Sequence, residues 1–135
     1  EQRRAHRELL ASQEAVSEEL AARVLAMDVH GLLEAMSKGR LTSEEIVRVY
    51  CRRAQAEGAA LNAVTEECFG EALEAARESD ARRARGEPPR ALEGIPISIK
   101  DCVAQEGYLA TCGLASKAGI IHAEDGLLVS SLREA

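Results

Sequence analysis

The stretch "EGIPISIKD", residues 93–101, closes an apolar run with a lysine. Ile95, Ile97 and Ile99 share one face of a period-2 strand, and Pro96, Ser98 and Lys100 share the other. Lys100 carries the useful chemistry: an amine kept neutral can take a proton from a hydroxyl and return it, so it can act as base and then acid. Ser98 is nearby, about 6.6 Å along such a strand. Taken alone, a lysine ending a strand also reads as a surface group whose stem snorkels to water. Ser130 and Ser131 form the other eye-catching pair, but they fall inside a predicted helix with no flanking glycines and read as helix-surface serines.

The remaining chemistry-bearing residues are scattered. Cys51, Cys68, Cys102 and Cys112 contain no CxxC pair, so the sequence predicts reduced, packed thiols in a cytosolic setting. His6, His30 and His122 give no ligand spacing, and no metal or cofactor is expected. The chain has 17 basic and 23 acidic residues, a net charge of -6, which disfavours a nucleic-acid partner. Arg82, Arg83 and Arg85 lie beside Asp80 and Glu87 and predict a solvated helix end. No apolar run approaches the roughly 20 residues that span a bilayer, and the N-terminus has no secretory pattern. A start at Glu1 and an end on "SSLREA" read as a piece of a longer protein.

Apolar residues are 46% and charged residues 30%, a soluble globular balance; aromatics are only 2%, so aliphatic side chains must fill the core. Periodicity predicts an amphipathic helix over residues 3–27, with Leu9, Val16, Leu20, Val24 and Met27 on one stripe. "VHGLLEAMSKGR" predicts a short helix ending near Gly39. In "LTSEEIVRVY", Thr42 and Glu45 have capping-box spacing, flanked by Leu41 and Ile46 at staple positions; that helix should stop at Gly58. "LNAVTE", 61–66, reads as a short strand, and a helix from Phe69 to Ala84 closes at Gly86. Pro96 places the 95–99 strand at an edge, a start or a bulge. Asp125 should cap a last helix that buries Leu127, Leu128 and Leu132. Helices alternating with strands predict an α/β fold, with N-terminal helices leading into a sheet left incomplete here. Residues 1–39 read as an N-terminal helical segment and 40–135 as the beginning of a catalytic domain.

With those elements in place, "LEGIPISIKD", "GYLATCGL" and "HAEDGLLVSSLREA" resemble the opening of the amidase signature family. Its pattern of Gly-[Ile/Val]-Pro-x-[Ser/Ala]-x-Lys-Asp is matched by Gly94, Pro96, Ser98, Lys100 and Asp101, and its Thr-x-Gly loop by Thr111 and Gly113. The likeness covers roughly residues 30–135. Cys102 and Leu114 make it closer to the fatty-acid-amide-hydrolase branch. The resemblance implies a mixed, helix-covered sheet and a serine hydrolase that cleaves amide C–N bonds by a Ser–Ser–Lys relay. Lys100 would be the general base and acid, with both serines outside this sequence, and Gly94, Pro96, Ser98, Thr111 and Gly113 would support the site. It further implies a small lipid amide as substrate and an intracellular enzyme on the cytosolic side of endomembranes such as the endoplasmic reticulum. Membrane attachment would come through segments outside this chain, and homodimer formation is allowed. For such a relay Lys100 must lose its charge near neutral pH, which requires removal from water. The competing reading is a non-catalytic helical interaction module, with residues 3–57 as its surface and Lys100 merely exposed.

Overall fold

The computed structural model of the chain describes residues 16–58 and 60–135. Among them are α1 (Glu18–Leu25), α2 (Val29–Ser37), α3 (Ser43–Arg53), α4 (Phe69–Ala84) and α5 (Leu127–Glu134). Thr42 starts α3 as its spacing predicts. The Thr42 hydroxyl oxygen accepts from Glu45 N at 3.1 Å, and the Glu45 carboxylate accepts from Thr42 N at 2.8 Å. Leu41 and Ile46, on either side of the cap, are both buried in one core, as a staple requires. Beyond Arg53 the helix widens into a π-helical turn, Ala54–Gly58.

Two cores share α3. Ile46 and Val49 join Val16, Val24, Leu32, Ala35, Met36 and Leu41 in the first. Val47 and Cys51 meet Leu73 and Ala76 of α4 in the second. The pairs 46/49 and 47/51 are neighbours at helical spacing, so one helix presents an apolar stripe to each side. Each large aliphatic side chain so buried contributes about 1.5–3 kcal/mol.

The start of α3 is tied to α4 and to the quoted segment. The Asp80 carboxylate accepts from Ser43 N at 2.8 Å and from Glu44 N at 3.0 Å. These are first-turn donors that a helix cannot satisfy internally, and negative charge there suits the helix dipole. Ser43 is fully buried, and its hydroxyl donates to Gly94 O at 2.8 Å. Gly94 has φ +87, and a Cβ on it would lie 3.0 Å from side-chain atoms of Ser43 and Ser79. Only glycine fits. Ile95 then packs against the first core.

The chain divides into two compact units. One runs to Pro89 and takes in Glu93–Pro96; the other comprises Arg90–Leu92 and Ile97–Ala135. Within the second, Leu109 and Ile121 form an antiparallel bridge, and Leu92 N donates to Ala135 O at 2.7 Å. No helix among the described residues is long and apolar enough to cross a membrane.

Several expectations need correction. The predicted first helix appears as Glu18–Leu25, and its residues 3–15 lie outside the described residues. Residues 61–66 are turn and irregular chain, with Leu61 76% exposed. Residues 95–99 are irregular chain and make no ladder, and there is no strand among the described residues. The expected sheet is therefore not shown: a strand is defined by a partner that takes up its N–H and C=O groups, and none of the described residues supplies one here. Gly126, not Asp125, precedes α5, without a side-chain cap. Val129 carries the burial of α5, while Leu127 is 85% and Leu128 54% exposed and Leu132 is half-buried.

The Gly94 contact yields a stability test. Gly39 also has positive φ but nothing within 4 Å of a Cβ, so Gly39→Ala should cost only the left-handed backbone penalty, about 1–2 kcal/mol. Gly94→Ala should cost that penalty plus displacement of Ser43 and Ser79. Urea unfolding of the two variants checks the ranking; equal losses would contradict the close packing.

Candidate active site

Lys100 is followed by a turn, in which Val103 N donates to Lys100 O at 2.8 Å. The next residue, Asp101, points its carboxylate at the Thr111 loop. It accepts from the Thr111 hydroxyl at 2.9 Å and from Thr111 N at 3.3 Å. The Thr111 oxygen accepts in turn from Gly113 N at 3.1 Å. Leu114 N donates to Thr111 O at 2.9 Å, closing a four-residue turn. Its two central residues, Cys112 at φ +53 and Gly113 at φ +74, are both left-handed, the pattern of a primed turn. Gly113 meets that demand without strain, whereas Cys112 bears a side chain in a region that costs about 1–3 kcal/mol and must be held there by its surroundings.

The electrostatics follow the same contacts. The Thr111 hydroxyl, and after it the backbone N–H groups of Thr111, Cys112 and Gly113, hold the Asp101 carboxyl below the usual carboxylate range, against some desolvation. Asp125 behaves alike. The backbone N–H of Glu106, at 2.8 Å, is the main cause of its lowered pKa, with Arg133 adding to it at 2.7 Å. Both carboxylates thus tie loops of the second unit.

The structure brings some of the expected site residues together and leaves others apart. Thr111 and Gly113 form one hydrogen-bonded group with Asp101, directly after Lys100 in the chain. Gly94 and Pro96 belong to the other unit, where Gly94 fits against Ser43. Ser98 and Lys100 are exposed. The dry environment that a neutral lysine amine needs is not supplied by the described residues. Asp101 is absent from the candidate set drawn from the sequence, although its place in the same motif as Lys100 was a signal for it.

The other candidates behave as ordinary side chains. Ser130 donates back to Gly126 O at 3.3 Å within α5, and Ser131 is exposed. None of the four cysteines is in a disulfide. Burial first, then the neighbouring Cys68 and Glu67, push the Cys51 thiol up to about 12, which leaves it unreactive. Among the described residues no group of three or more His, Cys, Asp or Glu side chains is placed to hold a metal ion. The arginine cluster is paired: Arg82 with Glu87 and Glu93, Arg83 with Asp80, and Arg85 with Glu78 and Glu87.

Comparison with known proteins identifies a family for most of the chain. The family model described as Amidase matches residues 45–135. Amidase 1 of Gibberella moniliformis is 33% identical over 112 residues, 82% of this chain and 22% of its own length. A glutamyl-tRNA(Gln) amidotransferase subunit of Myxococcus xanthus is 36% identical over 104 residues, 77% of this chain and 21% of its own length. The same subunit of Cupriavidus pinatubonensis is 42% identical over 82 residues, 61% of this chain and 16% of its own length. The chain spans about a fifth of the length of the curated relatives it matches.

The lowered carboxyls fix the sign of a pH effect. A carboxyl more acidic in the folded than in the unfolded chain stabilises the fold above its unfolded value, and that contribution is lost as pH falls through the folded value. The loops held by Asp101 and Asp125 should therefore stay ordered down to about pH 4 and loosen only in stronger acid. Amide chemical shifts of Thr111 and Glu106 followed through an acid titration check this; a transition near neutrality would contradict it.

Proposed function

The chain belongs to the amidase family, and on that premise we propose that the protein it comes from hydrolyses carboxylic amide C–N bonds by a Ser–Ser–Lys relay with Lys100 as base and acid. The observation that carries the reading is the matched span 45–135, which contains Lys100 and the Asp101–Thr111–Gly113 group beside it in the chain. Amide cleavage needs an activated nucleophile and a proton for a strongly basic leaving amine. In this reading the neutral Lys100 amine takes a proton from a bridging serine, which takes one from the nucleophilic serine. The nucleophilic oxygen bonds to the carbonyl carbon, the C–N bond breaks, and the proton returns along the same path to the departing nitrogen. Water then hydrolyses the acyl–serine ester and restores both serines. The two serines lie outside this sequence.

Two structural conditions accompany the reading. Segments of the longer protein outside this chain cover Lys100 and keep its amine dry. Residues 95–99 pair with further strands, completing the α/β sheet that their period-2 pattern suits. For the substrate, we propose a fatty acid amide, on the strength of Cys102 and Leu114, where the sequence resembles that branch. A second reading draws on the relatives named as glutamyl-tRNA(Gln) amidotransferase subunits: the longer protein would be one component of such an enzyme. The net charge of -6 disfavours an RNA partner for the present chain, so the hydrolase reading stands first.

Lys100→Ala in the full-length protein should lower kcat for amide hydrolysis by about 10²–10⁴-fold while the melting temperature changes little. Near-wild-type turnover would remove Lys100 from the mechanism. Assay of the unaltered protein against a fatty acid amide and against glutamyl-tRNA(Gln) separates the two readings; no turnover of either would favour a non-catalytic helical module.

A further inference from the structure

We propose that Asp101 is a positioning residue for amide cleavage: its carboxylate holds the Thr111–Gly113 turn beside the Lys100 end of the motif without itself touching substrate. This rests on the hydrolase reading above and goes beyond it by assigning a role to a residue outside the proton relay.

The geometry is directional. Asp101 receives two hydrogen bonds from Thr111, at 2.9 Å from the hydroxyl and 3.3 Å from the backbone N–H. The hydroxyl proton is given to Asp101, so the Thr111 oxygen turns a lone pair to Gly113 N at 3.1 Å. A single anion thereby orients a side chain and a run of backbone donors ten residues away along the chain. That run includes a cysteine held at φ +53, a conformation that relaxes unless something opposes it. On its other side Asp101 is bonded to Lys100, whose carbonyl is fixed by Val103 N at 2.8 Å. The backbone that carries the amine and the backbone of the turn are thus joined through one carboxylate. A lysine stem is flexible, so where its amine can reach is set by how well its backbone is anchored and by what walls surround it. Misplacement by about 1 Å can cost a reaction about 10²-fold.

An ordinary loop brace would make the same hydrogen bonds but would leave chemistry untouched, so the test must read both. In the full-length protein, Asp101→Asn keeps the shape but replaces one acceptor oxygen with an N–H₂ donor that faces other donors. Thr111→Val removes the hydroxyl, and Thr111→Ser keeps it. Hydrogen exchange at the amides of residues 111–113 reads the turn, and kcat and KM read the reaction, with Lys100→Ala as reference. Asp101→Asn and Thr111→Val should each speed exchange at 111–113 and lower kcat by about 10–100-fold with KM little changed, and Thr111→Ser should restore both. Unchanged exchange in Asp101→Asn, or faster exchange with wild-type kcat, would overturn the inference. Should Asp101→Asn fail to fold, Thr111→Val decides alone by the same two measurements. An inactive Lys100→Ala alongside a fully active Asp101→Asn would sink this inference and spare the hydrolase reading; an active Lys100→Ala would sink the reading itself.

Discussion

The carboxylate of Asp80, set against the first turn of α3, is the contact on which the helical unit depends. It supplies acceptors for the N–H groups of Ser43 and Glu44, and so fixes α4 across the beginning of α3. With its backbone held there, Ser43 can turn its hydroxyl to the carbonyl of Gly94. The opening of the "EGIPISIKD" segment is thereby anchored by a chain of polar bonds that starts two helices away. Burial gives this polar chain its weight: Ser43 is fully enclosed, and an acceptor lost there would leave a donor with no water to replace it. The interaction also explains why the motif begins with glycine, because any larger residue would push into the hydroxyls of Ser43 and Ser79.

The second unit is held by carboxylates in a comparable way, with a different result. Asp101 and Asp125 each collect backbone N–H groups from loops, and α5 contributes Arg133 as a counter-charge to Asp125. Aliphatic burial is sparse in that unit, where Val129 and Ala110 are the buried apolar residues among those described and Leu114, Ile120, Ile121, Leu127 and Leu128 stay exposed. Polar bonds to loops give direction more than net stability. The matched relatives are about five times longer than the chain, and Lys100 is exposed among the described residues.

How much of this was legible in the sequence depends on the range of the interaction. The capping box at Thr42 and Glu45, the staple of Leu41 and Ile46, and the ends of α2 and α4 were all readable, because each is decided by residues within a few positions. The strands were not settled by pattern. Ile95, Ile97 and Ile99 alternate as a strand should, yet a ladder needs a partner that the sequence of one segment cannot reveal. Asp125 looked like a cap by position, but its carboxylate is drawn away by the N–H of Glu106 and by Arg133. The same limit applies to Asp101: the motif marks its place beside Lys100, but the loop that it organises lies ten residues further on, beyond what local spacing can show.

The sharing of α3 between two cores has a consequence for how the helical unit comes apart. Ile46 and Val49 serve one cluster, and Val47 and Cys51 serve the other, on a single rigid rod. Displacing that rod would open both clusters at once. Loss of α3 therefore couples the two clusters, which favours their melting together.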